Sequence, residues 1–279
     1  MTRSVAFIVS IFLFGISLTT GYAQVTISPT AVFLDSNSKV GSFFVSNPSN
    51  SAVEVSLSFE FAYPATDSDG RVFLNYDDSE AEEQFSLVPN LRAFPTTFVL
   101  DPNQRQTIRL IGRLPQTTEP GTYWTRMRVS SSQLTPPIGA AAEGQVAAQV
   151  TFQIDQVTAV LVHHGSVDTG VTIHSTEARI DTETGSLQIL TDVERMGNAP
   201  FIGSVTTTIL GSNGQEVDTR RSSTSVYFRN LQRVEFELSE LPAGTYTAVT
   251  TYETSRNDIS SRNLIQAPST TERLTFSIE

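Results

Sequence analysis

The feature that most constrains the fold of this chain is a strict alternation of apolar and polar residues in short segments. Residues 53–61 alternate valine, leucine or phenylalanine with glutamate or serine, and the same period of two recurs at 107–110, 150–154 and 234–238. Because successive side chains of a β-strand point to opposite faces, each segment predicts a strand with one buried face. No helical pattern of useful length interrupts these segments, so the sequence predicts an all-β chain.

Clusters of turn-forming residues separate the predicted strands. Such clusters stand at residues 47–50, 67–70, 101–103 and 211–214. Glycine, proline, asparagine and aspartate favour turns through their backbone dihedral angles or through side-chain hydrogen bonds to the backbone. Many short strands with turns between them are typical of β-sandwiches.

Two similar turns indicate two related domains. Tyr123 and Tyr246 each follow a turn that contains proline, glycine and threonine. A tyrosine in this place is typical of the tyrosine corner of immunoglobulin-like sandwiches. We therefore predict two immunoglobulin-like β-sandwich domains in tandem, at 24–165 and 166–279, with the boundary at 163–166. Two unrelated glycine turns are the alternative.

The first 23 residues are predicted to be a secretory signal peptide. Arg3 precedes an apolar run at residues 5–18, and small residues stand one and three positions before a cut after Ala23. The run is shorter than a membrane span, although an uncleaved N-terminal anchor is the alternative. No later segment approaches about 18 consecutive apolar residues. We therefore expect an exported protein that does not insert into a membrane after cleavage.

Composition excludes several classes of function. The chain has 29 Asp and Glu against 18 Lys and Arg, which gives a formal net charge of −11 and argues against a nucleic-acid partner. It contains no cysteine, which excludes a disulfide scaffold, a thiol enzyme and cysteine-ligated metal sites.

Few residues are candidates for chemistry. His163 and His164 are adjacent, so on a strand their rings point to opposite faces and cannot share one metal ion. The acidic residues between 77 and 83 lack the spacing of a calcium loop, which predicts a solvated loop, with weak cation binding as the alternative. Phosphate-binding, hydrolase and metalloprotease motifs are absent. We predict no catalytic residue, no metal and no cofactor, and hence a protein that is not an enzyme; a hydrolase with an unrecognised site is a remaining alternative.

The most informative segment is the predicted strand that begins near residue 150. Val150, Phe152 and Ile154 line one face, and beyond Asp155 both faces become apolar. A long segment with prolines and glycines, residues 130–145, precedes it. One interpretation is an ordinary half-buried strand. The other is an edge strand whose apolar row awaits a partner, since exposed edges template strand addition.

The first domain resembles the N-terminal domain of periplasmic pilus chaperones of the chaperone–usher pathway. The strongest match is residues 94–110, where a Leu-x-Pro, a polar turn and an apolar-Arg-apolar strand follow one another, with Asn103 where the family has glycine. Residues 27–34, as the first strand, and residues 123–129 are also similar to the family, and residues 101–104 are predicted to make a hairpin-like turn. The resemblance covers about residues 25–165.

The resemblance implies a function and a set of binding residues. Members of the family are periplasmic chaperones that lend a strand to a pilus subunit and deliver it to an outer-membrane usher. By position, the donor residues are Val150, Phe152 and Ile154. The second hypothesis is an exported structural or adhesive protein that is built of immunoglobulin-like modules.

The family's two basic anchors for the subunit's C-terminal carboxylate are missing. By position, Ala31 replaces the arginine of the first strand, and Ala159, or Thr158 in a register shifted by one, replaces the lysine of the donor strand. A carboxylate bound in this cleft therefore needs another donor, such as Thr30, Thr158 or backbone N–H groups.

Overall fold

The computed structural model describes residues 25–134 and 152–279. The predicted signal peptide, 1–23, lies outside the described residues. The strands that precede residue 165 are β1 (Thr26–Ser28), β2 (Ala31–Leu34), β3 (Val40–Ser46), β4 (Val53–Glu60), β5 (Tyr63–Thr66), β6 (Val72–Asn75), β7 (Leu91–Phe94), β8 (Thr97–Leu100), β9 (Arg105–Gly112), β10 (Gly121–Gln133) and β11 (Gln153–His164). Those that follow are β12 (Thr169–Asp181), β13 (Ser186–Gly197), β14 (Phe201–Leu210), β15 (Glu216–Val226), β16 (Arg229–Glu237), β17 (Gly244–Glu253) and β18 (Thr270–Ile278).

The strands form two β-sandwiches in sequence order. In the first, a sheet of order β1-β3-β9-β7 faces a sheet of order β2-β11-β10-β4-β8. In the second, β12-β13-β16 faces β15-β14-β17-β18. The two sandwiches confirm the predicted fold class.

Each sandwich closes over its own apolar core, as the alternating patterns predict. On β4, Val53 and Val55 are buried while Glu54 is exposed. Val53 and Val55 share the first core with side chains of β9 and β11. The second sandwich has two clusters of buried residues, one around Leu187 and Phe236 and the other around Val193, Phe201 and Tyr252.

The first predicted strand, residues 27–34, is divided between the two sheets. β1 pairs with β3, whereas β2 pairs in parallel with β11. The break lies at Pro29, which has no N–H to donate to a sheet. The chain therefore crosses from one sheet to the other at this point, and β2 is only four residues long.

The turn at 101–104 also joins the two sheets and is not a hairpin. β8 pairs with β4, whereas β9 pairs with β3 and β7. Asn103 has a φ of 60°, in the left-handed region that asparagine tolerates better than most residues other than glycine. Asparagine therefore occupies this position with less strain than most other residues would carry there.

The acidic residues that the sequence assigned to a loop lie mostly on a short helix, α1 (Ser79–Phe85). Asp78 caps its N-terminus by accepting a hydrogen bond from the N–H of Ala81 at 3.0 Å, and Glu80 and Glu82 stand in its first turn. Carboxylates are favourable there because they oppose the positive end of the helix dipole. The seven-residue helix is too short for periodicity to reveal it. No helix among the described residues has the length and apolar character needed to cross a membrane.

Both predicted tyrosine corners are present. The hydroxyl of Tyr123 donates to the carbonyl of Glu119 at 2.8 Å, and that of Tyr246 donates to the carbonyl of Pro242 at 2.7 Å. Each bond joins a strand to the turn four residues before it. The same local contact therefore pins a late strand in each of the two sandwiches.

We expect Tyr246→Phe to lower the free energy of unfolding by about 1 kcal/mol, because the substitution removes one hydrogen bond and leaves the ring in place. Urea unfolding followed by circular dichroism measures the change. Tyr76→Phe is the matched control, since Tyr76 is exposed at the surface. An equal change in both variants would show that the corner contributes nothing specific.

Candidate functional site

Strand β11 has neighbours on both sides along only part of its length. β10 pairs with it from Gln153 to His164. On its other side β2 pairs only with residues 159–162. Among the described residues no strand covers the outer side of residues 153–158, which we call the open segment. The switch of the first strand at Pro29 is the cause, because β1 continues in the opposite sheet.

The two faces of β11 have different surroundings. Val160 and Val162 are buried in the core of the first sandwich, whereas Leu161 is buried in a cluster shared with the second sandwich. The doubly apolar pattern beyond Asp155 thus reflects burial on both sides of one strand. Ile154 is half-buried and, by alternation, lies on the face of Val160.

The predicted donor residues lie at the start of the open segment. Phe152 immediately precedes β11 and is 61% exposed. Val150 lies outside the described residues. Gln156 and Thr158 border the same edge, where Gln156 Nε2 donates to the carbonyl of Val25 at 2.6 Å and Thr158 Oγ1 donates to the carbonyl of Thr30. These two side chains occupy part of the edge that β1 leaves.

At its other end the open segment reaches a cleft between the sandwiches with a volume of about 210 Å³. Ala31 is the register partner of Ala159, and Ala159 is the register partner of Arg126 on β10. The three residues therefore form one row across three strands, and all three line the cleft. The structure thus pairs the two alanines that the sequence placed at the anchor positions, and adds an arginine beside them.

Arg126 is a buried cation. It is only 9% exposed, and its Nε donates to the carbonyl of Ala62 at 3.2 Å. The centre of its guanidinium lies 5.7 Å from the ring centroid of Tyr227, within the range of a cation–π contact. Within residues 25–134 and 152–279 no carboxylate forms an ion pair with it. A buried guanidinium without a counter-ion favours a bound anion.

The two threonines named from the sequence have other partners. The Thr158 hydroxyl donates to the Thr30 carbonyl, and Thr30 Oγ1 donates to Asp258 Oδ2 at 3.4 Å. Since a hydroxyl has one hydrogen to donate, neither is available to a carboxylate in this arrangement. Asp258 also accepts from Arg256 at 2.8 and 2.5 Å, and these bonds hold its pKa below the usual range.

Aromatic side chains join the two sandwiches beside the cleft. Trp124 stacks on Phe85 with ring centroids 4.8 Å apart and contacts Tyr227 of the second sandwich edge to face at 4.9 Å. Phe61 and Phe228 belong to the same cluster. Large buried rings contribute strongly to packing, so this cluster fixes the second sandwich against the face of β10 that carries Arg126.

His163 also lies at this junction. Its Nδ1 is 2.8 Å from Thr122 Oγ1, and its Nε2 is 3.4 Å from the carbonyl oxygen of Asn263 in the second sandwich. Lys39 Nζ donates to its backbone carbonyl at 3.0 Å. Burial lowers the pKa of His163 below 6.5, and the charge of Lys39 acts in the same direction. No group of three or more potential metal-ligating side chains occurs in the described part of the chain.

Sequence reasoning missed Arg126. Alternation along β10 predicts that Arg126 lies on the face opposite Tyr123. The position of Arg126 beside Ala159, however, depends on the register between β10 and β11. In a short hairpin the turn sets this register, whereas here residues 134–152 separate the two strands. The one signal in the sequence was indirect: alanine stands at the positions where the family that the sequence resembles has basic residues.

Comparisons with known proteins give matches among solved structures only. No family model and no curated protein matches the chain. The YadV chaperone is 12% identical, with 90% of this chain and 99% of that chain covered and a TM-score of 0.46. A chain of the Salmonella enterica SafA pilin–SafB chaperone complex is 10% identical, with 93% and 98% covered and a TM-score of 0.44. The E. coli chaperone DraB is 14% identical, with 92% and 98% covered and a TM-score of 0.42.

The burial of His163 predicts a pH dependence of stability. Because its pKa is lowered in the folded protein, the unfolded chain binds the proton more readily, and stability should decrease as the pH falls below 6.5. His163→Gln retains a polar side chain that cannot titrate. Urea unfolding at pH 7.5 and pH 5.5 should show a smaller loss for this variant than for the wild type. Equal losses would show that His163 does not titrate in this range.

Proposed function

We propose that the protein is a non-enzymatic chaperone of the periplasm that binds a surface-fibre subunit and delivers it to an outer-membrane usher. In this proposal the subunit pairs with the open segment of β11. The observation that carries it is the placement of the open segment, which has no strand on its outer side among the described residues. It lies between the exposed Phe152 at one end and a cleft with the buried Arg126 at the other. In this proposal one extended partner chain contacts both the edge and the cleft.

The open segment is suited to strand addition. Its backbone is held by β10 on one side, and its outer N–H and C=O groups can continue the sheet with a partner. The apolar row Val150, Phe152 and Ile154 then packs into an apolar groove of the partner. Each fully buried side chain of this kind contributes about 1.5–3 kcal/mol before ordering costs are subtracted.

The cleft is suited to the terminal carboxylate of the same partner chain. Arg126 supplies a charge and several N–H donors, and its neighbours Ala31 and Ala159 leave room beside it. A guanidinium binds a carboxylate through two parallel hydrogen bonds. Anchoring one end of the partner strand at this point sets its register along β11. From the cleft the open segment then extends about 17 Å, at 3.3–3.4 Å per residue.

We expect Phe152→Asp to abolish capture of the subunit while the protein remains folded, because the substitution places a charge in an apolar groove. The measurement is co-purification after periplasmic co-expression with a fibre-subunit protein encoded beside its gene, which should yield a 1:1 complex with the wild type. Phe94→Asp is the matched control, since Phe94 is 77% exposed and lies on β7 in the opposite sheet. Undiminished capture by Phe152→Asp would exclude strand donation by this row, whereas a wild type that captures no subunit would favour the structural or adhesive alternative.

A double-mutant cycle tests the carboxylate site. Arg126→Gln should weaken subunit binding by at least tenfold, because a buried charge pair is lost. Removal of the subunit's last residues should have a similar effect, and the two changes together should cost no more than either alone, since they remove the same contact. Titration of the purified proteins measures the dissociation constants. Additive effects would show that Arg126 does not contact the subunit's C-terminus.

A further inference from the structure

Arg128 connects the three central strands of one sheet of the first sandwich. Its Nη2 lies 2.5 Å from Glu60 Oε1 on β4, and its Nη1 lies 3.2 Å from Asp155 Oδ2 on β11. The three side chains are each about one-third exposed. We call this group the Arg128 clamp. One of its carboxylates belongs to the open segment.

Asp155 is held from several directions. Gln153 Nε2 donates to its Oδ1 at 3.0 Å. A hydrogen bond from Ser130 on β10, followed by those from Gln153 and Arg128, lowers the pKa of Asp155. Because a lowered carboxyl pKa keeps the group ionised, the clamp loses its charge pair only in acid, below the ordinary value of 3.8. At neutral pH the contact is permanently charged.

The open segment needs such a contact more than the rest of β11. Residues 159–162 lie between β2 and β10, whereas residues 153–158 have a strand neighbour on one side only among the described residues. A strand end with one neighbour frays readily, since its backbone hydrogen bonds are exposed to water. Its ordering then opposes binding, because fixing the backbone of each residue costs about 1–2 kcal/mol.

We propose that Arg128 is a positioning residue that holds the open segment against β10, so that a partner strand meets an edge whose register with β10 is already fixed. The clamp lies on the cleft face of β11, with Val157 and Ala159, and not on the face of Ile154. Arg128 therefore acts through Asp155 and need not touch the partner. This role rests on the proposed function, whereas the ordering of the segment does not.

Amide hydrogen exchange of the wild-type protein without a partner tests the ordering. In Arg128→Met, which keeps an unbranched side chain, exchange at those amides of residues 153–157 that donate to β10 should accelerate by about threefold to tenfold. Asp155→Asn should accelerate the same amides. The amides of Val160 and Val162 should be unchanged in both variants, because β2 and β10 hold them. A purely structural effect of Arg128 would instead accelerate exchange throughout β10 and β11.

Arg229→Met is the matched control. Arg229 on β16 pairs with Asp192 on β13 through bonds of 2.8 and 2.5 Å, so it is also an exposed cross-strand arginine–aspartate pair. It lies in the second sandwich, and its loss should leave residues 153–157 unchanged. Sodium chloride at high concentration should act on the wild type as Arg128→Met does, since the charges are partly exposed.

The binding step is tested with the co-expressed subunit of the capture experiment. Arg128→Met should slow its association at least threefold while dissociation changes less, and Arg128→Lys should restore part of the rate. Unchanged exchange at residues 153–157 would overturn the clamp, whatever the capture result. Faster exchange with unaltered association would overturn its positioning role. A wild type that captures no subunit would overturn the proposed function and, with it, the positioning role, while exchange would still decide whether Arg128 orders the strand.

Discussion

The switch of the first strand between sheets is the constraint on which the rest of the site depends. A sandwich protects its sheet edges by pairing or covering them, and a first strand that stayed beside β11 in the register of β2 would cover residues 154–162. Because the chain crosses at Pro29 and gives only four residues to β2, half of β11 keeps a backbone edge without a strand neighbour in the described structure. The same crossing brings Ala31 to the cleft. The open edge and the cleft are thus two consequences of one backbone change.

The register of three strands explains how the cleft acquires its charge. Ala31, Ala159 and Arg126 stand side by side, and small side chains at the first two positions leave space that the long third side chain borders. The cation of the cleft therefore comes from β10, one strand further into the sheet than the two alanines.

The sequence predicted the parts of the fold that depend on local pattern. The alternation at 53–61 and 107–110 appears as β4 and β9 because one face of each is buried in a core, and the two tyrosine corners form because their contact spans only four residues. The break in the first strand, the sheet-to-sheet turn at 101–104 and the helix α1 were missed. The first two depend on which sheet each strand joins, and the third is shorter than two helical turns. The position of Arg126 was missed because it depends on a pairing between distant segments.

The aromatic cluster at the junction has a practical consequence for following the molecule in solution. Trp124 is the one tryptophan of the chain, and its indole is fully buried between rings contributed by both sandwiches. Its emission wavelength depends on the polarity around it. The intrinsic fluorescence of the unlabelled protein therefore reports whether water has entered the junction between the two sandwiches.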